Sequence, residues 1–219
     1  MKPRFSNQRN HALTLVEVLV VIAVLVAVAA LLLPGLAASR RKSNRINCVS
    51  NLKQIGLACR IWEGDNGDKY PMFVSVTNGG AMELAATGNV AAVFQAMSNE
   101  LSTPKLLVCP NDDSRTAATN FTTGFNASRI SYFVSLDVTN ETSPQTFLSG
   151  DDNFEIGGAL VKSGLLELST NAPISWTAAR HKFVGNIGLA DGSVQQTTQN
   201  GLRQALQKTG LATNRLAIP

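Results

Sequence analysis

Glu17 is the residue whose type and position most directly suggest chemistry, because it is a carboxylate at the start of a long apolar segment. Residues 12–17 read ALTLVE, and the next sixteen residues contain no polar side chain. An ionisable side chain costs roughly 2.5–3.5 kcal/mol near the centre of a membrane-spanning helix, and less near its ends. Glu17 therefore lies at the level of the lipid headgroups or has a partner that compensates its charge.

Thiol and imidazole chemistry has few candidates in this chain. The cysteines are Cys48, Cys59 and Cys109, the histidines are His11 and His181, and no CxxC pair occurs. Because zinc sites usually show paired, closely spaced ligands, we predict no metal site and no cofactor. Two interpretations of the cysteines stay open. They are three small buried hydrophobic residues, or, outside the cytoplasm, Cys48 and Cys109 form a disulfide.

Hydrolytic chemistry would require a nucleophile with a base, or a pair of facing carboxylates. Asp151 and Asp152 are adjacent, so on a strand they point to opposite faces. The sequence contains neither G-x-S-x-G nor H-E-x-x-H. We predict no catalytic residue and interpret His181 as a hydrogen-bonded residue at the entry to a hairpin. An enzyme would need His181 in a cleft with another titratable group.

Charge is distributed unevenly along the chain. Residues 1–63 hold nine basic and two acidic residues, whereas residues 64–219 hold ten basic and thirteen acidic residues. A nucleic-acid-binding domain needs a basic surface, so we predict no nucleic-acid partner.

The apolar segment must be placed by an N-terminal helix. Residues 1–12 form a short basic leader, and residues 13–33 are interrupted only by Thr14 and Glu17. A helix of 21 residues is about 31 Å long, which is close to the roughly 30 Å hydrocarbon core of a bilayer. The leader is expected to stay in the cytoplasm by the positive-inside tendency.

The helix is predicted to bend at Pro34 and then to continue as an amphipathic helix to about residue 63. It ends in the sequence EGDNGDKYP, which we interpret as a turn, because the spacing of a calcium loop is absent. The apolar stripe of the second half contains Cys48, Leu52, Ile55, Cys59 and Trp62.

Residues 64–219 are predicted to form a separate α+β head, with a helix over 90–101 and a short strand at KLLVCP. The segments RISYFVSLDV and TFLSGDD are predicted to pair as strands. Asp191 and Gly192 are predicted to occupy the central positions of a second hairpin, before a short terminal helix. The fold class is thus α+β. A long helix, with a transmembrane half and an amphipathic half, packs on a small antiparallel sheet, and Leu52, Ile55 and Trp62 lie at the interface.

The N-terminus resembles that of type IV prepilins and type II secretion pseudopilins. Their motif is Gly, usually Phe, then Thr, Leu, an aliphatic residue and Glu, and here it reads Ala12, Leu13, Thr14, Leu15, Val16, Glu17. Pro34 lies 21 residues after Leu13, where the family commonly has a proline. Ala12 and Leu13 depart from the usual Gly and Phe, so the resemblance implies slower processing at this site.

A C-terminal feature is similar to a pseudopilin-like group named for His, nine residues, then Asp-Gly. His181, Asp191 and Gly192 have this spacing. The signature supports membership of that group and implies no known chemistry.

The resemblance implies a mechanism for Glu17. A prepilin peptidase cuts between Ala12 and Leu13 and methylates the new α-amino group. Glu17 of one subunit then neutralises that charge on a neighbour within a filament, because an unpaired charge in low dielectric is costly. The implied partners are the peptidase, other pseudopilin subunits, the secretion assembly platform and the inner membrane, with the head in the periplasm.

Other functions remain open on the sequence alone. A secreted periplasmic protein with an ordinary signal peptide would be cut at Ala27-Val28-Ala29, or less well at Leu36-Ala37-Ala38. A type IV pilus subunit for adhesion or DNA uptake would keep the same fold. The continuity between the apolar run and the amphipathic stripe favours a filament subunit, most simply one for type II protein secretion.

Overall fold

The structure is a computed structural model that describes residues 14–219, with side chains described outside residues 34–41. The chain divides into two compact units, one up to residue 42 and one from Ser43 to Pro219. Helix α1 (Leu15–Asp65) contributes to both units. The helical backbone continues past Pro34. The helix ends at Asp65, two residues beyond the predicted end near residue 63.

The first unit contains the apolar part of α1. Every described side chain from Leu15 to Leu33 is exposed, and the only charged residue among them is Glu17. This segment has the length and composition of a membrane-spanning helix.

The second unit is an α+β head in which the rest of α1 is a core element. Cys48, Leu52, Ile55, Cys59 and Trp62 are all buried, as their spacing predicts. After α1 come three short helices: α2 (Met82–Ala85), α3 (Val90–Ala96) and α4 (Ser98–Leu101). The predicted helix over 90–101 is thus two helices, because Met97 leaves the helical conformation.

The head contains two antiparallel sheets. The larger has the strand order β5-β9-β1-β2-β7-β8, and the smaller has the order β4-β3-β6. Their bounds are β1 (Tyr132–Ser135), β2 (Phe147–Asp151), β3 (Phe154–Ile156), β4 (Ala159–Leu160), β5 (Gly164–Ser169), β6 (Ile174–Trp176), β7 (Val184–Leu189), β8 (Val194–Thr198) and β9 (Thr213–Ile218). Helix α5 (Gln199–Lys208) connects β8 to β9.

The larger sheet is buried on both faces in its centre. On β1, Tyr132 and Val134 join the core that contains the amphipathic part of α1, whereas Phe133 joins a second core with Trp176 and Leu202. This alternation follows from the two-residue repeat of a strand. The sheet therefore separates two cores, one towards α1 and one towards α5 and the smaller sheet.

The segment KLLVCP was predicted as a strand, and this prediction was wrong. A 3₁₀ helix spans Pro104–Leu107, with Pro104 at its start and the Thr103 side chain accepting from the Lys105 amide. Proline favours the first turn of a helix, and Pro110 has no amide to donate to a neighbouring strand. The segment nevertheless packs in the core through Leu107 and Cys109.

Candidate functional site

Glu17 and Thr14 form a reciprocal set of hydrogen bonds at the N-terminus of α1. The Thr14 amide and hydroxyl donate to Glu17 Oε2 at 2.7 and 2.8 Å. The Glu17 amide donates to Thr14 Oγ1 at 3.3 Å. This is a capping box, in which the side chains at the N-cap and at the third helical position satisfy each other's free amides.

The capping box gives Glu17 a local role that our sequence reasoning missed. The signal is present, since a Thr followed three residues later by Glu before an apolar run is the usual pattern. Glu17 is thus held at the helix start by its own chain. The predicted cleavage residues Ala12 and Leu13 lie outside the described residues, and the structure describes no side chain at Pro34.

Cys48 and Cys109 form a disulfide with a Cα–Cα distance of 5.3 Å, and Cys59 is a buried free thiol. Of the two interpretations of the cysteines, the disulfide is therefore correct. It joins α1 to the segment after the 3₁₀ helix, across a sequence separation of 61 residues. Such a long loop makes the bond an effective constraint on the unfolded chain.

His181 lies against this disulfide and is buried. Its Nε2 is 3.3 Å from Cys109 Sγ and 3.6 Å from Asp151 Oδ2. The Asn111 side-chain amide lies 3.2 Å from His181 Nδ1. Burial lowers the pKa of His181 to about 4, and the charges of Arg45 and Arg180 act in the same direction. The imidazole is therefore neutral at physiological pH.

Asp151 is the carboxylate nearest to this imidazole and is fully buried. Burial raises its pKa to about 7, although the Asn186 backbone amide and side chain donate to its Oδ2 at 2.7 and 2.8 Å. The other oxygen, Oδ1, is buried without a hydrogen-bond partner. The pair of Asp151 and His181 is therefore mainly uncharged in weakly acidic solution.

Four further charged residues form a compact network beside this cluster. Arg180 bonds Asp112 at 2.7 Å and Asp152 at 2.5 Å, and Arg115 bonds the same two carboxylates at 3.3 and 2.7 Å. Burial alone would raise the pKa of Asp112, but the hydrogen bond from Ser114 and the charge of Arg180 lower it overall. The adjacent residues Asp151 and Asp152 thus have different partners, although β2 ends at Asp151 and Asp152 lies just beyond it.

An open pocket of about 460 Å³ lies over this network. Its lining includes Asp112, Arg115, Asp152 and Arg180, whose charges are already paired with one another. The described lining does not include His181, whose side chain has no exposed surface. The imidazole is therefore enclosed next to a carboxylate and does not line this pocket.

The signature residues Asp191 and Gly192 form the turn between β7 and β8. The Gly192 amide donates to the Leu189 carbonyl, so Ala190 and Asp191 are the central turn residues. Gly192 follows with φ +84°, a left-handed conformation that favours glycine. The hairpin is confirmed, and the turn is shifted by one residue from the predicted position. It is a three-residue loop of the common type that ends in a left-handed glycine.

Both ends of the His-x9-Asp-Gly signature are bonded to α1. The Arg45 guanidinium donates to the His181 carbonyl at 3.0 Å. The Arg60 guanidinium donates to the carbonyl of Ala190, the residue before Asp191. Arginine is suited to such contacts because its planar fork reaches carbonyl groups while its stem packs on the helix. Two arginines of α1 therefore hold the backbone at the start and at the turn of the β7–β8 hairpin.

Comparison with known proteins gives one match. Residues 7–33 match the family model of the prokaryotic N-terminal methylation motif. No curated protein and no solved structure matches the chain.

The matched segment covers the predicted cleavage residues, the capping box and the apolar part of α1. It marks a type IV pilin-like substrate of the prepilin peptidase and implies assembly with pilin-type subunits. Within residues 14–219, the segment Leu15–Leu33 is the one helix that has the properties of a membrane anchor.

Proposed function

We propose that the protein is a pseudopilin, a structural subunit that is cut between Ala12 and Leu13, methylated on Leu13 and assembled into a filament for type II protein secretion. The observation that carries the proposal is the methylation motif over residues 7–33, with Glu17 held at the first turn of an apolar helix. The role is structural, and catalysis is no part of it.

Cleavage creates a positively charged α-ammonium group on Leu13, and Glu17 of a neighbouring subunit can pair with it. Leu13 is the residue before Thr14, so the new α-ammonium group appears next to the capping box. Glu17 Oε2 accepts two hydrogen bonds from Thr14, whereas no hydrogen bond to Oε1 is described. A carboxylate has room for several donors, so a neighbouring subunit's α-ammonium can be added without breaking the cap. Neutralising both charges in low dielectric favours the assembled state and fixes the axial register.

The orientation follows from the leader and the disulfide. The basic residues of the leader favour retention in the cytoplasm, which directs the head to the other side of the inner membrane. The Cys48–Cys109 disulfide supports this direction, because disulfides persist in the oxidising periplasm and are rare in the cytosol.

The non-enzymatic role is supported by the head's geometry. Four of the charged residues that line the pocket, Asp112, Arg115, Asp152 and Arg180, are paired with one another, and His181 is enclosed beside the disulfide. A general base must reach a proton on its substrate, which an enclosed imidazole cannot do without a rearrangement.

Mass spectrometry of the mature N-terminus tests the proposal. In cells that contain a prepilin peptidase, we expect a chain that begins at Leu13 and carries one additional methyl group. A chain that retains Met1, or one that is cut after Ala29 as a signal peptide would be, contradicts it.

The matched variant is Ala12→Gly, which supplies the residue that the family usually has before the cut. We expect the fraction of processed chain, measured at a fixed time after induction, to be higher for Ala12→Gly than for the parent chain. Equal processing of the two would show that Ala12 does not slow the peptidase.

A further inference from the structure

The structure brings together three possible metal ligands that the sequence keeps far apart. The Cys48 and Cys109 sulfurs and a His181 ring nitrogen all lie within 4.8 Å of one another. Asp151 Oδ2 lies 3.6 Å from His181 Nε2. Thiolates and imidazoles are the usual ligands of tetrahedral zinc, and ligand atoms about 2.0–2.3 Å from a zinc ion lie roughly 3.3–3.8 Å from each other.

We propose that Cys48, Cys109 and His181 bind one zinc ion when the two cysteines are reduced. The disulfide and the zinc site are then two alternative cross-links between Cys48 and Cys109. Both join α1 to the segment that contains Cys109, so the head is cross-linked under oxidising and under reducing conditions. This inference goes beyond the proposed filament role and does not rest on it.

The disulfide excludes the metal, because each sulfur is bonded to the other and cannot act as a thiolate. The newly made chain contains two thiols, and no reductant is needed to reach this form. Binding converts two thiols and one zinc ion to a zinc dithiolate and releases two protons, so binding strengthens as the pH rises.

The surroundings of the cluster match what zinc requires. The three ligand side chains are buried, and so is the neighbouring Asp151. Two thiolates neutralise the charge of the ion.

Asn111 is the outer partner of the imidazole. When Nε2 binds zinc, Nδ1 carries the proton and needs an acceptor, which the Asn111 amide supplies after its oxygen and nitrogen exchange places. Asn44, whose amide now donates to Asn111 Oδ1 at 2.9 Å, can turn in the same way. Loss of such an outer partner typically weakens metal binding roughly 10–100-fold.

The test uses the full chain in detergent micelles, reduced with a phosphine and kept anaerobic. The probes are Zn²⁺, measured by equilibrium dialysis, and Co²⁺, whose absorption spectrum reports thiolate ligands and tetrahedral geometry. We expect one metal ion per reduced chain, with thiolate-to-cobalt charge-transfer bands, and no binding by the oxidised chain. No binding by the reduced chain, or equal binding by both forms, overturns the proposal.

Three variants test the site, two at ligands and one at the outer partner of the imidazole. Cys109→Ser and His181→Ala should abolish the charge-transfer bands or weaken binding by more than tenfold, and Asn111→Ala should weaken it roughly 10–100-fold. Cys59→Ser is the matched control, because Cys59 is a buried thiol on α1 that lies outside the cluster. We expect Cys59→Ser to bind like the parent chain. If Cys59→Ser loses binding as Cys109→Ser does, the metal is held by unspecific thiols and the proposal fails.

Thermal unfolding provides a second test in case reduction of the disulfide destabilises the head. We expect the thermal midpoint of the reduced chain to rise with added Zn²⁺, since a ligand that binds only the folded form stabilises it. No rise in the midpoint, together with no refolding on metal addition, also overturns the proposal.

Discussion

Asp112 shows how a buried charge is accommodated in this head. Its side chain accepts hydrogen bonds from the Ser114 and Ser131 hydroxyls at 2.5 and 2.7 Å and pairs with Arg180 and Arg115. Removing one member of such a buried group leaves the others uncompensated, which typically costs about 3–5 kcal/mol. The ionised form of Asp112 is therefore part of the folded structure.

The acid stability of the head should depend on Asp112. Its pKa in the folded chain is lowered from the value in the unfolded chain, near 3.9. The stability that this carboxylate contributes is then complete above about pH 4 and is lost as the pH falls through the lower, folded-state pKa. We expect Asp112→Asn to be less stable than the parent chain at pH 7, with a difference that shrinks below pH 4.

Chemical denaturation of the full chain in detergent at several pH values measures this difference. Asp113→Asn is the control, because Asp113 is exposed and no ion pair of its carboxylate is described. A stability difference between Asp112→Asn and the parent chain that is independent of pH would contradict the assigned role of the ionised carboxylate.

At the scale of elements, α1 contributes both a buried and an exposed face to the head. Leu52 is 1% exposed and lies in the core with Tyr132 and Val134 of β1, whereas Leu57 is 60% exposed. Close packing of α1 on the sheet is also visible at Gly56, where an added Cβ would lie 3.8 Å from Leu148 of β2. The amphipathic half of α1 is thus an internal element of the head.

Leu52→Asp should unfold the head or detach α1 from it. A buried unpaired carboxylate, together with lost apolar contacts, should cost more than about 3–5 kcal/mol, a large part of a typical domain's stability. Leu57→Asp, five residues away on the exposed face, should change stability by less than about 0.5 kcal/mol.

Cys59 provides the measurement, because it is buried and is the one thiol left when the disulfide is formed. We expect rapid maleimide labelling of Cys59 in Leu52→Asp and slow labelling in Leu57→Asp and the parent chain. Equally slow labelling in all three would refute the packing of Leu52.

The conformation of the β7–β8 turn can be tested at Gly192. Gly192 has φ +84°, and an added Cβ would meet no atom within 4 Å, so the penalty for alanine there is conformational and not steric crowding. We expect Gly192→Ala to lower the free energy of unfolding by about 1–2 kcal/mol. Gly64→Ala is the control, because Gly64 lies in α1 with no atom within 4 Å and no positive φ. Thermal unfolding of the two variants measures the difference, and an equal effect of both would exclude the conformational explanation.

At the scale of the whole molecule, the chain combines an apolar anchor with a folded head. The motif over residues 7–33 and the disulfide-closed unit from Ser43 to Pro219 lie in different parts of the sequence. Membrane anchoring requires only the apolar residues of this helix and does not require the carboxylate of Glu17. The filament role predicts that this residue matters for assembly and not for insertion.

Glu17→Ala should insert into the membrane normally and enter the filament at least about tenfold less, since an interaction of 1.4 kcal/mol corresponds to a factor of ten. Thr14→Val is the matched control. It removes the hydroxyl of the capping box and leaves the carboxylate in place. The measurement is the fraction of subunit in a sheared filament preparation relative to the membrane fraction.

The two variants separate the two roles of Glu17. If the carboxylate acts between subunits, Thr14→Val assembles nearly normally and Glu17→Ala does not. Equal loss in both would assign the effect to the helix cap, and normal assembly of Glu17→Ala would remove the role we propose for it.

The anchor, the amphipathic stripe of α1 and the hairpins at β1–β2 and β7–β8 could be predicted from the sequence, because each depends on residues close together in the chain. Periodicity placed Leu52, Ile55 and Trp62 in the core, and a Gly after an Asp placed the turn to within one residue. The methylation motif is local for the same reason. The capping box of Thr14 and Glu17 was also readable, although we did not predict it.

The tertiary structure alone decided what lies around His181. Cys48, Cys109 and His181 are 61 and 72 residues apart in successive order, so no local pattern indicates that they meet. The disulfide was one of two open interpretations, and the strands β3 to β6 and β9 were not predicted. Strands β3 and β4 form a local hairpin around Gly157 and Gly158 that our sequence reasoning missed, whereas β5 and β6 pair with strands that are distant in the sequence. Contacts of this kind depend on how the elements pack, which the free energy of the whole fold determines and the local sequence does not.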